Sequence, residues 1–161
     1  MKHNPHSLII AVALVALVIA GCTAPAGVAL QPTTRTFYIA AIEPKGSTTV
    51  DKEPFPTGSL PEGGGYALKE PDDTGTWTVS TYRWLPSEIT VMQGDTVTLE
   101  LIGINGASHP ATIEGYDITF EVKRGQRTSV TFIADKVGVF AIACTVHQPS
   151  MTGTLVVLPR S

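Results

Sequence analysis

Residues 137–158 read VGVFAIACTVHQPSMTGTLVVL. Two β-rich runs, 137–144 and 153–158, flank a short polar segment that contains Pro149. Side chains alternate along a strand. Phe140, Ile142 and Cys144 share one parity, and Ala141 and Ala143 take the other. The thiol therefore belongs at the strand's end, on the face that carries the bulky apolar groups. Residues 145–150 turn the chain back, with Pro149 biasing Gln148 towards extended backbone. The pattern predicts a strand–loop–strand unit that gathers Cys144, His147 and Met151, spaced as Cys-x2-His-x3-Met.

The same period-two pattern extends upstream. Val97, Leu99 and Leu101 alternate with polar residues in 96–102, as do Ile118, Phe120 and Val122 in 117–123. Residues 127–134 continue the series, 77–84 alternate, and 89–92 follow Pro86. Turn signals at 93–95, 124–126, 134–136 and 152–153 separate the runs. Lys123, Arg124 and Arg127 mark a solvated hairpin tip, and Met92 reads as core. Short strands at this spacing, with no amphipathic helix and no repeat, predict an all-β antiparallel sandwich or barrel. Residues 76–161 are read as its core.

Residues 34–42 (TRTFYIAAI) read as a possible first strand. Between them and the core, 43–75 hold five prolines and the run Gly63-Gly64-Gly65. A loop that long inside a compact domain is unusual. It is expected to be a surface insertion, a docking loop, or a linker that leaves 34–42 outside the fold.

Composition excludes much else. The 161 residues are 43% hydrophobic and 16% charged, with net charge −3, so neither disorder nor a nucleic-acid partner is indicated. Glycine and proline together number 27, which favours turns over long helices. Two cysteines cannot form a disulfide framework.

Residues 8–20 carry no charge, have the length of a signal-peptide core, and lead into Ile19-Ala20-Gly21-Cys22. That ending resembles the lipobox of bacterial lipoproteins, with Cys22 as the lipidated residue. The expected organisation is a signal peptide at 1–21 and a membrane tether at 22–33. The protein would be exported and lipid-anchored in the cell envelope, facing the periplasmic or extracellular side. Removing the first 21 residues leaves one free cysteine (Cys144), two histidines (His109, His147) and two methionines (Met92, Met151). An unpaired thiol in an oxidising compartment is a liability unless its sulfur is occupied.

His109 lies 35 residues before Cys144, just past the 96–102 strand, where two hairpin ends share one pole of a sandwich. Two imidazoles and a thiolate form a trigonal set suited to copper, with Met151 as a long axial thioether. Zinc also accepts Cys and two His, although a thioether suits it poorly. A cysteine nucleophile activated by His147 is disfavoured, because no third orienting group or oxyanion hole is evident.

These residues resemble the cupredoxins. The likeness spans about 76–159 and rests on Pro86-Ser87-Glu88-Ile89, Gln93-Gly94-Asp95, His109, residues 131–138, Cys144-Thr145-Val146-His147 and Met151-Thr152-Gly153-Thr154. The branch with nitrosocyanin and the copper domains of cytochrome oxidase subunit II and nitrous oxide reductase looks nearest. The oxidase and reductase domains use two cysteines, and here Cys144 stands alone, so the resemblance implies one copper per chain. Nitrosocyanin has a glutamate in place of His109; His109 returns the site to the ordinary blue type. Pro110 departs from the family's usual hydrogen-bonding residue after this histidine, and it offers neither side-chain donor nor N–H. Ser108 is the candidate to compensate.

The resemblance implies a Greek-key β-sandwich and a non-enzymatic, membrane-tethered carrier of single electrons between redox proteins of the cell envelope. His147 would be the surface contact through which electrons pass. The rival is a copper lipoprotein for storage or for delivery to an oxidase.

Overall fold

The computed structural model describes residues 30–58, 60 and 63–160. The expected signal peptide, Cys22 and the tether up to residue 29 lie outside them. All regular structure among the described residues is strand. In chain order the strands are β1 (Thr34–Ile42), β2 (Lys45–Thr49), β3 (Tyr66–Lys69), β4 (Thr76–Thr81), β5 (Arg83–Leu85) and β6 (Glu88–Met92). They continue with β7 (Thr96–Gly103), β8 (Ser108–Ile113), β9 (Ile118–Lys123), β10 (Arg127–Ile133), β11 (Gly138–Cys144) and β12 (Thr152–Leu158). They form one sheet in the order β10-β7-β1-β5, a second in the order β6-β12-β11-β8-β9, and a small third sheet, β2-β4-β3.

The first two sheets share one core. Ile39, Leu99 and Leu101 from one meet Ile113, Val122, Leu155 and Val157 from the other, all nearly inaccessible to solvent. Burial alternates without a break along β7, as its apolar/polar period requires. The sheets are not purely antiparallel. β1 runs parallel to β7, from Thr34 opposite Thr96 to Ala41 opposite Gly103, and β6 runs parallel to β12. Parallel partners need a long crossover instead of a tight turn, so no local signal announces them.

The sandwich also begins earlier than residue 76. β1 lies between β7 and β5, inside the first sheet. The 43–75 segment holds β2 and β3, which flank β4. Its bend is closed by Trp77, whose indole N–H donates to the Glu53 carbonyl at 2.9 Å and whose ring meets Phe55 edge-on. The alternating run 77–84 divides between sheets, β4 in the third and β5 in the first, with Tyr82 at the break.

At one pole, Asp95 is fully buried. It accepts from the Thr33 N–H at 2.9 Å, the Met92 N–H at 3.1 Å and Arg35 Nε at 2.5 Å, and it pairs with Arg160. One carboxylate thus ties the start of β1 to Arg160, two residues past the end of β12. Burial alone would raise this carboxyl's pKa, but the four donors outweigh it and hold the pKa far below the usual range. Met92 is half-buried here. At the β9–β10 turn, Lys123 pairs with Glu121 and Arg127 with Glu100, as expected for a solvated tip.

Candidate metal centre

The opposite pole gathers the chemistry. β7 ends at Gly103, residues 104–107 loop over, and β8 carries His109 inward. Cys144 is the last residue of β11, paired with Ala111 of β8. His109 and Cys144 have no solvent exposure, and His147 is half-buried in the following loop. His109 Nδ1 lies 3.3 Å from His147 Nδ1, and Cys144 Sγ lies 3.4 Å from the same His147 atom. The three donor atoms all fall within 4.8 Å of one another.

Second contacts set the protonation. His109 Nε2 lies 3.0 Å from the Asn105 carbonyl, which only accepts, so Nε2 carries the proton and Nδ1 presents a lone pair. Burial and the neighbouring His109 push the His147 imidazole below its ordinary pKa. Gly106 makes His109's position possible. Its φ is +77°, and a Cβ there would lie 2.7 Å from His109 Cε1.

The ligand loop closes on itself. The Met151 N–H donates to the His147 carbonyl, and the Cys144 N–H donates to the Met151 carbonyl, each at 3.0 Å. Met151 is fully buried and packs in the same core cluster as Cys144. The two ligand segments are joined by Pro110 after all, through its carbonyl: the Thr145 N–H donates to it at 2.8 Å and the Thr145 hydroxyl at 3.2 Å. Ser108 does not compensate for the missing donor, because it faces outward and bonds Glu121.

Three neighbours were not legible as site residues. Tyr82 stacks on His147 with ring centroids 3.7 Å apart and planes 16° from parallel. Trp84 meets His109 edge-on at 6.3 Å. Asn105 fixes His109 through its carbonyl. The Asn105-Gly106 pair is a turn signal in the sequence, while Tyr82 is one aromatic in an alternating run and carries no mark of its role. Tyr82 covers one face of the His147 ring, which stays half-buried. Beside it lies a cleft of about 200 Å³ between residues 63–67 and the ligand loop, lined by Tyr66, Tyr82, Val146, His147, Gln148 and Ser150. The 63–67 segment approaches so closely that a Cβ on Gly65 would lie 2.6 Å from Ser150 Cβ.

The corners of a trigonal set around a metal with bonds of about 2 Å lie about 3.5 Å apart. The two separations, 3.3 Å between the imidazole nitrogens and 3.4 Å from the sulfur to His147 Nδ1, are close to that spacing, and all three donor atoms lie within 4.8 Å of one another. Two imidazoles and a thiol make a donor set that fits copper.

A family model for the cupredoxin-like domain matches residues 63–157. The chain belongs to the cupredoxin-like family. The nitrous-oxide reductase of Cupriavidus necator is 35% identical over a region covering 49% of this cupredoxin and 14% of the reductase. The chain thus spans about one-seventh of the length of that relative. Among solved structures, the copper nitrite reductase from Nitrosomonas europaea aligns with a TM-score of 0.52 and 21% identity, over 78% of this chain and 42% of that one. A multicopper oxidase, mgLAC, aligns with a TM-score of 0.53 and 16% identity, over 80% and 40%. At those identities the likeness is one of fold. This is a cupredoxin-like domain whose His109-Cys144-His147 group fits a copper site.

Proposed function

We propose that His109, Cys144 and His147 are the equatorial ligands of one copper ion, that Met151 is its axial ligand, and that the protein carries single electrons. The observation that carries the reading is the convergence of His109 Nδ1, His147 Nδ1 and Cys144 Sγ in a pocket where His109, Cys144 and Met151 have no solvent exposure. Copper held there supplies a reversible one-electron couple. The residues keep water out, and both strands of the ligand unit and the Asn105 bond hold the donors in place. Little rearrangement between oxidation states is what electron carriage requires. A closed donor set also argues for a carrier over an enzyme, which would need an open position for substrate.

The half-buried His147 and the cleft beside it make the meeting place for redox proteins. The chain enters the sandwich at the Asp95 pole, away from this surface. The lipid anchor on Cys22 and the cell-envelope location remain part of the proposal on the strength of the sequence alone. Such an anchor would raise the local concentration of the protein near membrane-bound oxidoreductases.

Copper-loaded protein cycled between reductant and oxidant in excess Cu(I) chelator tests the reading. Electron carriage predicts a thiolate-to-copper band that bleaches and returns over repeated cycles with the metal retained. Rapid transfer of copper to the chelator would support delivery instead.

A further inference from the structure

The two imidazoles of the site are held by different means. The His109 ring is fixed by a hydrogen bond, its Nε2 lying 3.0 Å from the Asn105 carbonyl. Among the described residues the His147 ring has no such outer bond, and its close polar contacts are both at Nδ1, toward His109 and Cys144. The loop fixes its backbone, because the His147 carbonyl accepts from the Met151 N–H at 3.0 Å and from the Ser150 hydroxyl at 3.2 Å. Neither of those bonds sets the rotation of the ring. What meets the ring is Tyr82, face to face, with centroids 3.7 Å apart and planes 16° from parallel. The same phenol ring meets His109 edge-on at 5.7 Å.

Tyr82 is itself fixed. It is half-buried between β4 and β5, and its backbone neighbours are gripped on both sides. The Thr81 N–H donates to the Pro44 carbonyl at 3.2 Å, and the Thr81 hydroxyl donates to the Gly65 carbonyl at 2.6 Å. On the other side Arg83 pairs with Ile42 of β1. Trp84, two residues on, shares the parity of Tyr82, and both rings reach His109. Gly106 leaves the phenol its space, since a Cβ there would lie 3.0 Å from Tyr82 Cε1.

We propose that Tyr82 is a positioning residue for His147, fixing the plane of that imidazole by stacking so that its Nδ1 faces Cys144 Sγ and His109 Nδ1 before a metal ion arrives. The inference rests on the reading of His147 as a copper ligand. Outer contacts ordinarily orient ligand imidazoles through hydrogen bonds. At His147 a ring face takes that part. The attraction lies between the two rings, so it requires an aromatic side chain at residue 82 and not the phenol hydroxyl. A ring already aligned loses less freedom when it takes up the ion, which is how preorganisation raises affinity.

Two readouts test it, one of them without copper. In the copper-free protein, the Tyr82 ring current shifts the His147 ring protons upfield in NMR, and the His147 and His109 rings, with centroids 5.2 Å apart, give a nuclear Overhauser contact. Tyr82→Phe keeps both signals, whereas Tyr82→Leu loses the shift and weakens the contact between the histidines. In the copper-loaded protein, Tyr82→Leu releases copper to a chelator about three- to tenfold faster than wild type, the range that one aromatic pair supports, while Tyr82→Phe stays within about twofold. A cooperatively melting Tyr82→Leu protein that keeps the histidine contact at full strength, or that releases copper at the wild-type rate, overturns the proposal. If Tyr82→Leu does not fold, a copper-free wild type without the upfield shift, or a Tyr82→Phe protein that loses copper about tenfold faster than wild type, overturns it. A wild-type protein that never binds copper defeats the ligand reading instead, and the copper-free signals still decide whether Tyr82 positions His147.

Discussion

The Pro110 carbonyl accepts the Thr145 backbone N–H at 2.8 Å, which ties the residue after His109 to the residue after Cys144. Proline removes a donor at this position but keeps an acceptor. The join therefore depends on the Thr145 N–H and not on the ring of residue 110. Thr145→Pro is expected to cut copper affinity about tenfold or more, whereas Pro110→Ala, which retains the carbonyl, leaves it within about threefold. Competitive copper titration of the two variants checks this; equal losses would show that the tie has no part in holding the metal.

Gly106 stands where His109's ring leaves no space. A methyl group there meets the imidazole at 2.7 Å in a left-handed backbone conformation, so both sterics and φ oppose it. Gly106→Ala should destabilise the fold by about 1–3 kcal/mol and weaken copper binding as well. Denaturant melts with and without copper separate the two effects, and the loss should be larger in the copper-loaded protein. An Ala variant with unchanged melts in both states would contradict the packing described.

Asp95 anchors the other pole, where Arg35 and Arg160 converge on one buried carboxylate. Breaking a buried pair leaves uncompensated charge, so Asp95→Asn should cost about 3 kcal/mol in chemical denaturation. The carboxyl's pKa is lower in the folded protein than the ordinary aspartate value of 3.8. Unfolded chains therefore bind its proton first as the pH falls, and the stabilisation is complete above pH 3.8 and lost progressively below it. Melting temperatures of wild type should fall across that acid range more steeply than those of Asp95→Asn. The copper band at neutral pH should be the same in both, because the site is at the far pole.

What the sequence revealed followed the reach of each signal. Cys144 and His147 lie within four residues, and strand parity alone places the thiol inward, so their convergence was legible. The inward faces of β7 and β9 were legible for the same reason. β1 was not assigned to the sandwich because its partner, β7, lies about sixty residues away and pairs with it in parallel, with no turn between them. The proline-rich character of 43–75 also hid β2 and β3, whose edges meet β4 only in three dimensions. Tyr82 escaped notice because a tyrosine in an alternating run carries no mark of a site residue, and its stack on His147 joins segments sixty-five residues apart.

The central claim is that the Cys144 sulfur binds copper together with two imidazoles, and the most direct measurement is the optical and EPR spectrum of copper-loaded wild type beside Cys144→Ser. Wild type should show one intense thiolate-to-copper band, bleached by reductant and restored by oxidant, with the EPR signal of a single copper. The serine variant should remain folded and lose that band. An intense band that survives in Cys144→Ser, or its absence from copper-saturated wild type, would contradict the account.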